Sequence, residues 1–534
     1  MQDLKSLDQR VTQLYKRYDS VLEFESRPFI PTSENIEELE SEIEDLEEEL
    51  AQGEVNSLSR VEQALRVWLQ ESLESMKARL LNDRAFPNRY VRSLSGKVNT
   101  LINFDKRDPS TVSSILVEVL KQGPAVLRAA SGLGARISEE RRDMLAKDLQ
   151  NLSRSCQSLP TNLSEPLSSV DTKEQEQVKE GLTNLVQKAE FLSKEVEGTS
   201  NPPQSELWSG LDYADTLARV YGIDINELLD CYRDEVEKRD RNLHALAEDV
   251  NPHRGPFQIL EEDLAHYDSP EEMYQAMKNF LRVARKRSLD YLALPDGERC
   301  EVWEVPEYLK DSYPWGGYYG KHPLRGEVEG AVFLNQHNYQ NLTEGWVKLN
   351  AVHECYPGHH AHAVKTAAGD MPLSFKAVSA LTSRAAPLTE GVAVRSEKLM
   401  QDIFEDDLFP LFVAYRRLHI SVRVWADLLL HHFDKGAESA VQLYRKYMHF
   451  SEKVSRGQVF SQQLTPGYFT VYYYGLNKIQ QMQENFGWAD PEFTELIFSS
   501  GKVSLRTVRN LIQLSAEERD MLLNNFTERF MKTN

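Results

Sequence analysis

The chain has 534 residues, of which 41% are hydrophobic and 27% charged, a composition that is ordinary for globular proteins. One hydrophobic core rarely serves a chain of this length, so two or three subdomains are expected. The formal net charge of -21 argues against nucleic-acid binding, which needs a basic surface, and against binding to anionic membranes.

The amino terminus, Met1–Lys5, lacks the apolar core of a signal peptide, and no stretch reaches the roughly 18 apolar residues that span a bilayer. The four cysteines are far apart in the sequence and form no C-x-x-C pair; they are Cys156, Cys231, Cys300 and Cys355. This spacing does not predict a disulfide framework or a thiolate zinc site. We therefore expect four buried thiols in a cytoplasmic protein.

Helical patterns fill the first two hundred residues. One amphipathic helix, with Ser33 as its cap, is predicted from five apolar residues spaced alternately three and four apart. These residues are Ile36, Leu39, Ile43, Leu46 and Leu50. Loop-forming residues cluster between Glu197 and Pro203, which marks a boundary. We predict an amino-terminal helical layer over residues 1–200 and a second, catalytic region over residues 201–534.

A small sheet is predicted to interrupt the helices after residue 299. Residues 300–305 alternate apolar with polar side chains, which is typical of a half-buried strand, and Glu327–Asn335 is predicted to be a second strand. Between them, Tyr313–Tyr319 is predicted to be an aromatic loop. Helical patterns resume after Leu342 and continue to the end. The predicted fold class is mainly α with one small β-sheet.

Four of the thirteen histidines fall within ten residues, at positions 353, 359, 360 and 362. His353 and Glu354 match the start of the H-E-x-x-H motif, in which an imidazole binds zinc and the adjacent carboxylate takes a proton from water. The fourth residue after His353 is Pro357, however, and proline cannot continue a regular helix. The sequence therefore predicts an interrupted helix, with histidine ligands after Pro357 and Gly358.

The same break determines which histidine completes the predicted site. If Pro357 and Gly358 loop out as two extra residues, His359 takes the place of the second histidine in H-E-x-x-H. Placing His360 there would require three looped residues. We therefore predict that His359 binds the metal and that His360 lies behind it or contacts the substrate.

A third ligand is predicted thirty residues downstream. In gluzincin zinc peptidases this ligand is a glutamate on a second helix, often followed by glycine, and Glu390 precedes Gly391. Glu397 lies seven residues further, on roughly the same helical face, where it could orient a ligand. The predicted zinc ligands are His353, His359 and Glu390.

These blocks resemble the domain of unknown function 885 family, bacterial proteins regarded as gluzincin-like metallopeptidases. Residues 353–360 reproduce the family signature H-E-x-x-P-G-H-H, in which the proline is expected. Three further blocks of this chain are similar to motifs of the family. Residues 390–397 are similar to the motif E-G-W-A-L-Y-A-E, residues 423–431 to R-x-x-x-D-x-x-L-H, and residues 466–472 to P-G-Q-A-L-x-Y. The resemblance covers roughly residues 205–500. Val392, Arg395 and Tyr468 depart from the pattern, which bears on the substrate pocket rather than on the metal site.

The resemblance implies a multi-helical zincin-like fold of the oligopeptidase and carboxypeptidase type, with a small sheet beside the active site. In such enzymes an edge strand before the zinc helix pairs with an extended substrate, and Val328–Asn335 lies at that place in the chain. The implied activity is zinc-dependent hydrolysis of a peptide or small amide.

Residue chemistry predicts further roles. Glu354 is expected to act as general base and later as general acid. Tyr472 either donates a hydrogen bond to the oxyanion of the reaction or packs in the core as one of three consecutive tyrosines. Arg423, Asp427 and His431 share one helical face, where they either hold a substrate carboxylate through Arg423 or form a structural ion-pair ladder.

Two other classes of function match parts of the pattern. Two histidines and a carboxylate also form the open iron site of oxygenases, but that site has no use for Glu354. A helical interaction protein with an inactive zinc site would not need both Glu354 and Glu390. The sequence therefore favours a zinc hydrolase.

Overall fold

The protein is mainly α-helical (75% helix) in a computed structural model that describes residues 2–527 except 19–27, 53–57, 104, 106, 163–168, 201–202, 263, 308–309, 311–315, 322 and 378–382. The amino-terminal part is helical, as predicted. Its helices are α1 Gln2–Tyr18, α2 Ser33–Gln52, α3 Arg60–Ala85, α4 Asn88–Asn103, α5 Pro109–Leu133, α6 Glu139–Asn162 and α7 Thr172–Glu197.

The predicted amphipathic helix is confirmed as α2. The five apolar residues of its stripe are at most 3% exposed, because their spacing places them on one helical face. The cap lies one residue before the predicted Ser33. Thr32 Oγ1 accepts a hydrogen bond from the amide of Asn35 at 3.1 Å, and the helix starts at Ser33.

The middle of the chain contains short helices, a π-helical turn at Thr216–Tyr221 and a three-stranded sheet. The helices are α8 Tyr213–Asp215, α9 Ile225–Leu229, α10 Tyr232–Val250, α11 Pro256–Glu262 and α12 Pro270–Ser288. The strands are β1 Arg299–Glu304, β2 Gly316–Gly320 and β3 Glu329–Leu334. Both predicted strands are therefore confirmed, and part of the predicted aromatic loop, Gly316–Tyr319, is strand instead. Residues 313–315 of that loop lie outside the described part of the chain.

The prediction that Val328–Asn335 forms an edge strand is wrong. The strand order is β1–β3–β2, so β3 is central, pairing parallel with β1 and antiparallel with β2. Residues 331–334 are all buried, as expected of an apolar run that is covered on both faces. An extended peptide could add to this sheet only along β1 or β2.

Helices return after Leu342, as predicted. They are α13 Glu344–Asn350, α14 His359–Ala368, α15 Leu373–Lys376, α16 Ala386–Leu399, α17 Leu408–His431, α18 Gly436–Met448, α19 Glu452–Leu464, α20 Val471–Phe486, α21 Asp490–Ser499, α22 Leu505–Gln513 and α23 Ala516–Leu523. A second π-helical turn, Ala351–Cys355, follows α13 directly.

One buried apolar cluster joins both ends of the chain. Residues of α1–α7 share this cluster with residues of the last 180 positions, among them Ala361, Leu388, Ile479, Leu511 and Leu522. The two predicted regions thus have apolar core in common, and the boundary at residue 200 stays a prediction. Among the described residues no helix is long and apolar enough to cross a membrane.

The four thiols are free, and two of them are less buried than predicted. Cys156 and Cys355 are buried, whereas Cys231 and Cys300 are half-buried. Cys300 and Cys355 are distant in sequence, yet their Sγ atoms lie 3.6 Å apart.

Candidate metal centre

The histidine motif lies at an interruption between two helical segments. His353 is on the π-helical turn Ala351–Cys355, which ends in extended backbone before the cis peptide Tyr356–Pro357. Helix α14 then begins at His359. Gly358 packs against the turn so closely that a Cβ atom there would lie 1.8 Å from the carbonyl oxygen of His353. The predicted interruption is confirmed, and position 358 requires glycine.

Two histidines and a glutamate converge at this interruption. The Nε2 atom of His353 lies 3.7 Å from Glu390 Oε2, and the Nε2 atom of His359 lies 3.4 Å from the same oxygen. One ligand atom from each residue lies within 4.8 Å of the other two. Ligand atoms about 2.0–2.1 Å from a tetrahedral zinc ion are about 3.3–3.4 Å apart. The two separations from Glu390 Oε2 are close to those that a zinc ion requires.

Glu397 lies behind His353. The Nδ1 atom of His353 is 2.8 Å from Glu397 Oε1, and the Glu397 side chain is fully buried. When Nδ1–H donates to this carboxylate, Nε2 remains free to bind a metal. Burial lowers the pKa of His353, but the nearby carboxylates of Glu390 and Glu397 raise it to about 10.

Glu390 has one oxygen with a hydrogen bond and one without. Its Oε1 atom accepts a hydrogen bond of 2.9 Å from the hydroxyl of Tyr468. Its Oε2 atom is buried and has no hydrogen-bond partner, which is unfavourable for a carboxylate in the interior. Burial raises the pKa of Glu390, but His359 and His353 hold it well below its usual range. A cation between these three residues would supply the partner that Oε2 lacks.

The donor chemistry fits a catalytic zinc ion. Imidazole nitrogen and carboxylate oxygen are zinc ligands, and catalytic zinc sites combine three protein ligands with one open position. The same set also suits ferrous iron, so the ligands alone do not choose the metal. Glu354, adjacent to His353 in the chain, is half-buried, and its charge acts on both His353 and Tyr472.

His360 lies outside the metal cluster. It is fully buried, and both ring nitrogens have other partners. Nδ1 is 3.1 Å from the hydroxyl of Tyr318 on β2, and Nε2 is 3.0 Å from Glu298 Oε2. Glu298 also accepts hydrogen bonds from Tyr356 and Arg285. His360 therefore connects helix α14, which begins at His359, to strand β2 of the sheet.

A close helix contact positions Glu390. A Cβ atom at Gly391 on α16 would lie 2.6 Å from the backbone of Gly475 on α20, and a Cβ atom at Gly475 would lie 1.8 Å from Pro387 O. The two backbones can approach this closely only because both residues are glycine. The contact brings Glu390 near the start of α20, where Tyr472 lies.

Tyr472 contacts the metal cluster through its ring. The ring centroids of Tyr472 and His353 are 6.5 Å apart, with 17° between their planes. Burial raises the pKa of Tyr472, and the charges of Glu390 and Glu354 raise it further. The phenol therefore keeps its proton and can donate a hydrogen bond beside the cluster.

Asp427 and His431 belong to a structural network. Asp427 is buried, and its carboxylate accepts hydrogen bonds of 2.8 Å from the Tyr213 hydroxyl and from the amide of Gly467. His431 lies 3.9 Å from Asp427 and stacks on Tyr213. These contacts hold the loop that precedes Tyr468.

Arg423 is separate from that network. Its guanidinium carbon lies 5.0 Å from the ring centroid of Phe469 and 5.5 Å from that of Tyr472. Its hydrogen bond from Nη2 to Gln458 Oε1 is a long one, 3.4 Å. Arg423 thus lies against Tyr472, the ring that is next to His353.

Several residues of this region could not be identified from the sequence. Tyr468 was noted only as a departure from the family pattern, although it binds Glu390.

A second such residue is Lys502. Burial lowers the pKa of Lys502 to about 7, while the charge of Glu390 opposes this shift. Lys502 Nζ donates to His362 Nδ1 at 2.9 Å, and His362 Nε2 lies 2.9 Å from the carbonyl of Gly501. The clustering of His362 with the other histidines was the one available signal for this pair.

Comparison with known proteins supports the resemblance. Residues 2–512 match the family described as "Bacterial protein of unknown function (DUF885)", a longer span than the blocks between 205 and 500. Among curated proteins, none matches the chain.

Two solved structures share the fold. A "putative lipoprotein" from Colwellia psychrerythraea has a TM-score of 0.77 at 14% identity, over 96% of this chain and 98% of that chain. A "putative lipoprotein of unknown function" from Shewanella oneidensis has a TM-score of 0.72 at 14% identity, over 96% and 99%. At this identity the likeness concerns the fold alone. The word lipoprotein describes those two proteins, and a cytoplasmic location for this chain stays a prediction.

Proposed function

We propose that this chain, which belongs to the DUF885 family of bacterial proteins, is a zinc-dependent hydrolase of peptide or related amide bonds. The observation that carries the proposal is Glu390 Oε2, a buried oxygen without a hydrogen bond that lies 3.4 and 3.7 Å from two imidazole nitrogens. In this proposal His353, His359 and Glu390 hold the ion, and the fold is a gluzincin-like variant of the zincin type.

A bound zinc ion would polarise the scissile carbonyl and lower the pKa of a water molecule. Glu354 takes the proton of the attacking water and returns it to the leaving amine. The phenol of Tyr472 donates a hydrogen bond to the developing oxyanion. Glu397 keeps His353 in the tautomer that leaves Nε2 free.

The adjacent glutamate favours hydrolysis over the alternatives. A non-haem iron oxygenase would use two histidines and one carboxylate but would leave Glu354 without a role. A helical interaction protein with an inactive site would not require two imidazole nitrogens to converge on one buried carboxylate oxygen that lacks a hydrogen bond.

Metal analysis together with a hydrolysis screen tests the proposal. After dialysis we expect about one zinc ion per chain, and hydrolysis of at least one member of a panel of dipeptides, acyl-amino acids and longer peptides. Glu354→Gln is the matched variant: it should retain zinc and lose at least about a hundredfold in turnover. Glu390→Ala should lose the metal. Stoichiometric iron without zinc, no metal, or an active Glu354→Gln variant would contradict the proposal.

A further inference from the structure

Three arginines of α17 carry charge close to the metal centre without an ion pair. Arg416 and Arg417 are 6% and 7% exposed, and Arg423 is half-buried. Their hydrogen bonds run to His419, to the carbonyl of Val394 and to Gln458. Within the described part of the chain, none of the three has a carboxylate partner. Burying a charge without a partner is unfavourable, so these three positive charges are unfavourable unless a negative group offsets them.

Arg416 and Arg417 lie close to one carboxylate, that of Glu397. The positive charges of Arg416 and Arg417 are near enough to Glu397 to help lower its pKa, after burial and the larger influence of His353. Arg423 has no such neighbour. Burial lowers the pKa of Arg423 and the charge of Arg416 adds to this, whereas the largest opposing influences come from tyrosines. Of these three arginines, Arg423 is the one for which the described part of the chain offers no nearby carboxylate.

Arg423 also lies close to the metal centre. One ring, that of Tyr472, separates its guanidinium from His353: the separations are 5.5 Å and 6.5 Å. Tyr472 and Glu354 are, like Arg423, half-buried and so reach solvent. The Nε atom of Arg423 has no hydrogen-bond partner. A guanidinium presents its N–H groups as a planar fork that matches a carboxylate.

We propose that Arg423 binds a carboxylate of the substrate, so that the preferred substrates are short peptides or acylated amino acids with a free carboxylate near the scissile bond. This inference rests on the proposed hydrolase function. The guanidinium lies at most about 12 Å from the His353 ring, and a peptide residue spans about 3.3–3.6 Å. The carboxylate would therefore belong to a fragment of one to three residues on one side of the cleaved bond.

Matched pairs of peptides test this inference on the zinc-loaded, full-length protein. Each N-acylated peptide is compared as the free acid and as the C-terminal amide. We expect kcat/KM to be at least about tenfold higher for the acid, because hydrogen bonds to charged groups contribute about 1.5–3 kcal/mol. An amidated peptide with glutamate near its end shows whether a side-chain carboxylate serves equally well.

Variants assign the preference to Arg423. In Arg423→Gln the advantage of the acid should fall to about threefold or less, with zinc content unchanged. Arg456→Gln removes the same charge from an exposed arginine that pairs with Glu438 and Glu452, and it should keep the preference. Arg423→Lys keeps the charge but not the fork and should lie between the two.

Binding gives a readout that is independent of turnover. Zinc-loaded Glu354→Gln should bind the acid form of a peptide at least about tenfold more tightly than the amide, as measured by calorimetry. Equal rates and equal affinities for acid and amide would overturn the inference while leaving the hydrolase proposal intact. Failure of the wild type to hydrolyse any substrate would count against the hydrolase, and the binding comparison would still decide the role of Arg423. If Arg423→Gln does not fold, the acid and amide comparison in the wild type decides alone.

Discussion

At the scale of single residues, the neighbours His359 and His360 have different surroundings. His359 faces Glu390, whereas His360 has both nitrogens engaged with Tyr318 and Glu298. His359→Ala should weaken zinc binding by more than about a hundredfold, since losing a ligand costs more than losing a partner behind one. His360→Ala should keep zinc affinity within about tenfold and lower the melting temperature.

Competition with a chelating dye measures both affinities. Because the two substitutions remove the same side chain from adjacent positions, each is the control for the other. Release of zinc by His360→Ala, with retention by His359→Ala, would show that the wrong histidine has been assigned.

The tyrosines Tyr468 and Tyr472 also differ in the groups that they contact. Tyr468 donates to Glu390 Oε1, so Tyr468→Phe should weaken zinc binding by about 10- to 100-fold. Tyr472→Phe should leave zinc content unchanged and lower turnover by about 10²- to 10³-fold, the usual cost of losing an oxyanion donor. Zinc titration and single-turnover rates measure the two effects. An unchanged rate in Tyr472→Phe would assign this residue to packing.

How much of the site could be predicted depended on whether its residues share a motif. His353, His359 and Glu390 could be chosen because metal ligands require particular residue types at short spacings. Glu298 and Tyr318 could not, since they reach His360 from positions 62 and 42 residues earlier in the chain. Contacts of that kind depend on the path of the backbone, which leaves no local pattern.

At the scale of elements, the contact between α16 and α20 supports the site. Gly391→Ala would place a Cβ atom 2.6 Å from the backbone of Gly475, so the helices must separate, at a cost of about 1–3 kcal/mol. We expect a lower melting temperature and, because Glu390 adjoins this contact, weaker zinc binding. Gly457→Ala, in α19, is the control: nothing lies within 4 Å of its Cβ position, and alanine favours helix. Equal stability of the two variants would exclude the proposed constraint.

The periodicity of apolar residues predicted where helices and strands occur better than it predicted which other elements they pair or pack with. The stripe of α2 was correct because apolar spacing follows directly from helix geometry. The strand β3 was also correct, but its place in the sheet was wrong. An apolar run indicates only that a strand is covered on its faces, not whether its edges are paired. The strand β2 was missed because Gly316 and Gly317 are typical of turns.

At the scale of the whole molecule, the first helix and the site-bearing region pack as one body. Both contribute to the same buried cluster, and the family match, residues 2–512, includes both. The sequence marks a boundary near residue 200 through loop formers, yet local composition carries no information on whether two helical regions share a core. Asp8 provides a polar link within this cluster. Its carboxylate accepts hydrogen bonds from the amides of Leu373 and Ser374 at 2.9 and 3.0 Å.

This link predicts how stability depends on pH. Burial raises the pKa of Asp8 from 3.8 to about 6, although hydrogen bonds from Ser374 and Leu373 oppose the shift. The folded state therefore favours the neutral carboxyl group. Its contribution is fully present below about pH 4 and is lost as pH rises through 6, a change of about 3 kcal/mol at 1.36 kcal/mol per pKa unit.

Asp8→Asn removes the titrating group while keeping its size. Relative to the wild type, this variant should gain about 3 kcal/mol between pH 4 and pH 7, whatever the cost of the lost acceptor at pH 4. The pH dependence of other groups cancels in the difference between the two proteins. Melting temperatures of both proteins across this pH range measure the gain in stability. Asp45→Asn, on the exposed face of α2, controls for a change in net charge. A constant difference between wild type and Asp8→Asn from pH 4 to pH 7 would show that burial does not hold Asp8 in its neutral form, and that the contact between α1 and α15 is formed by an ionised carboxylate.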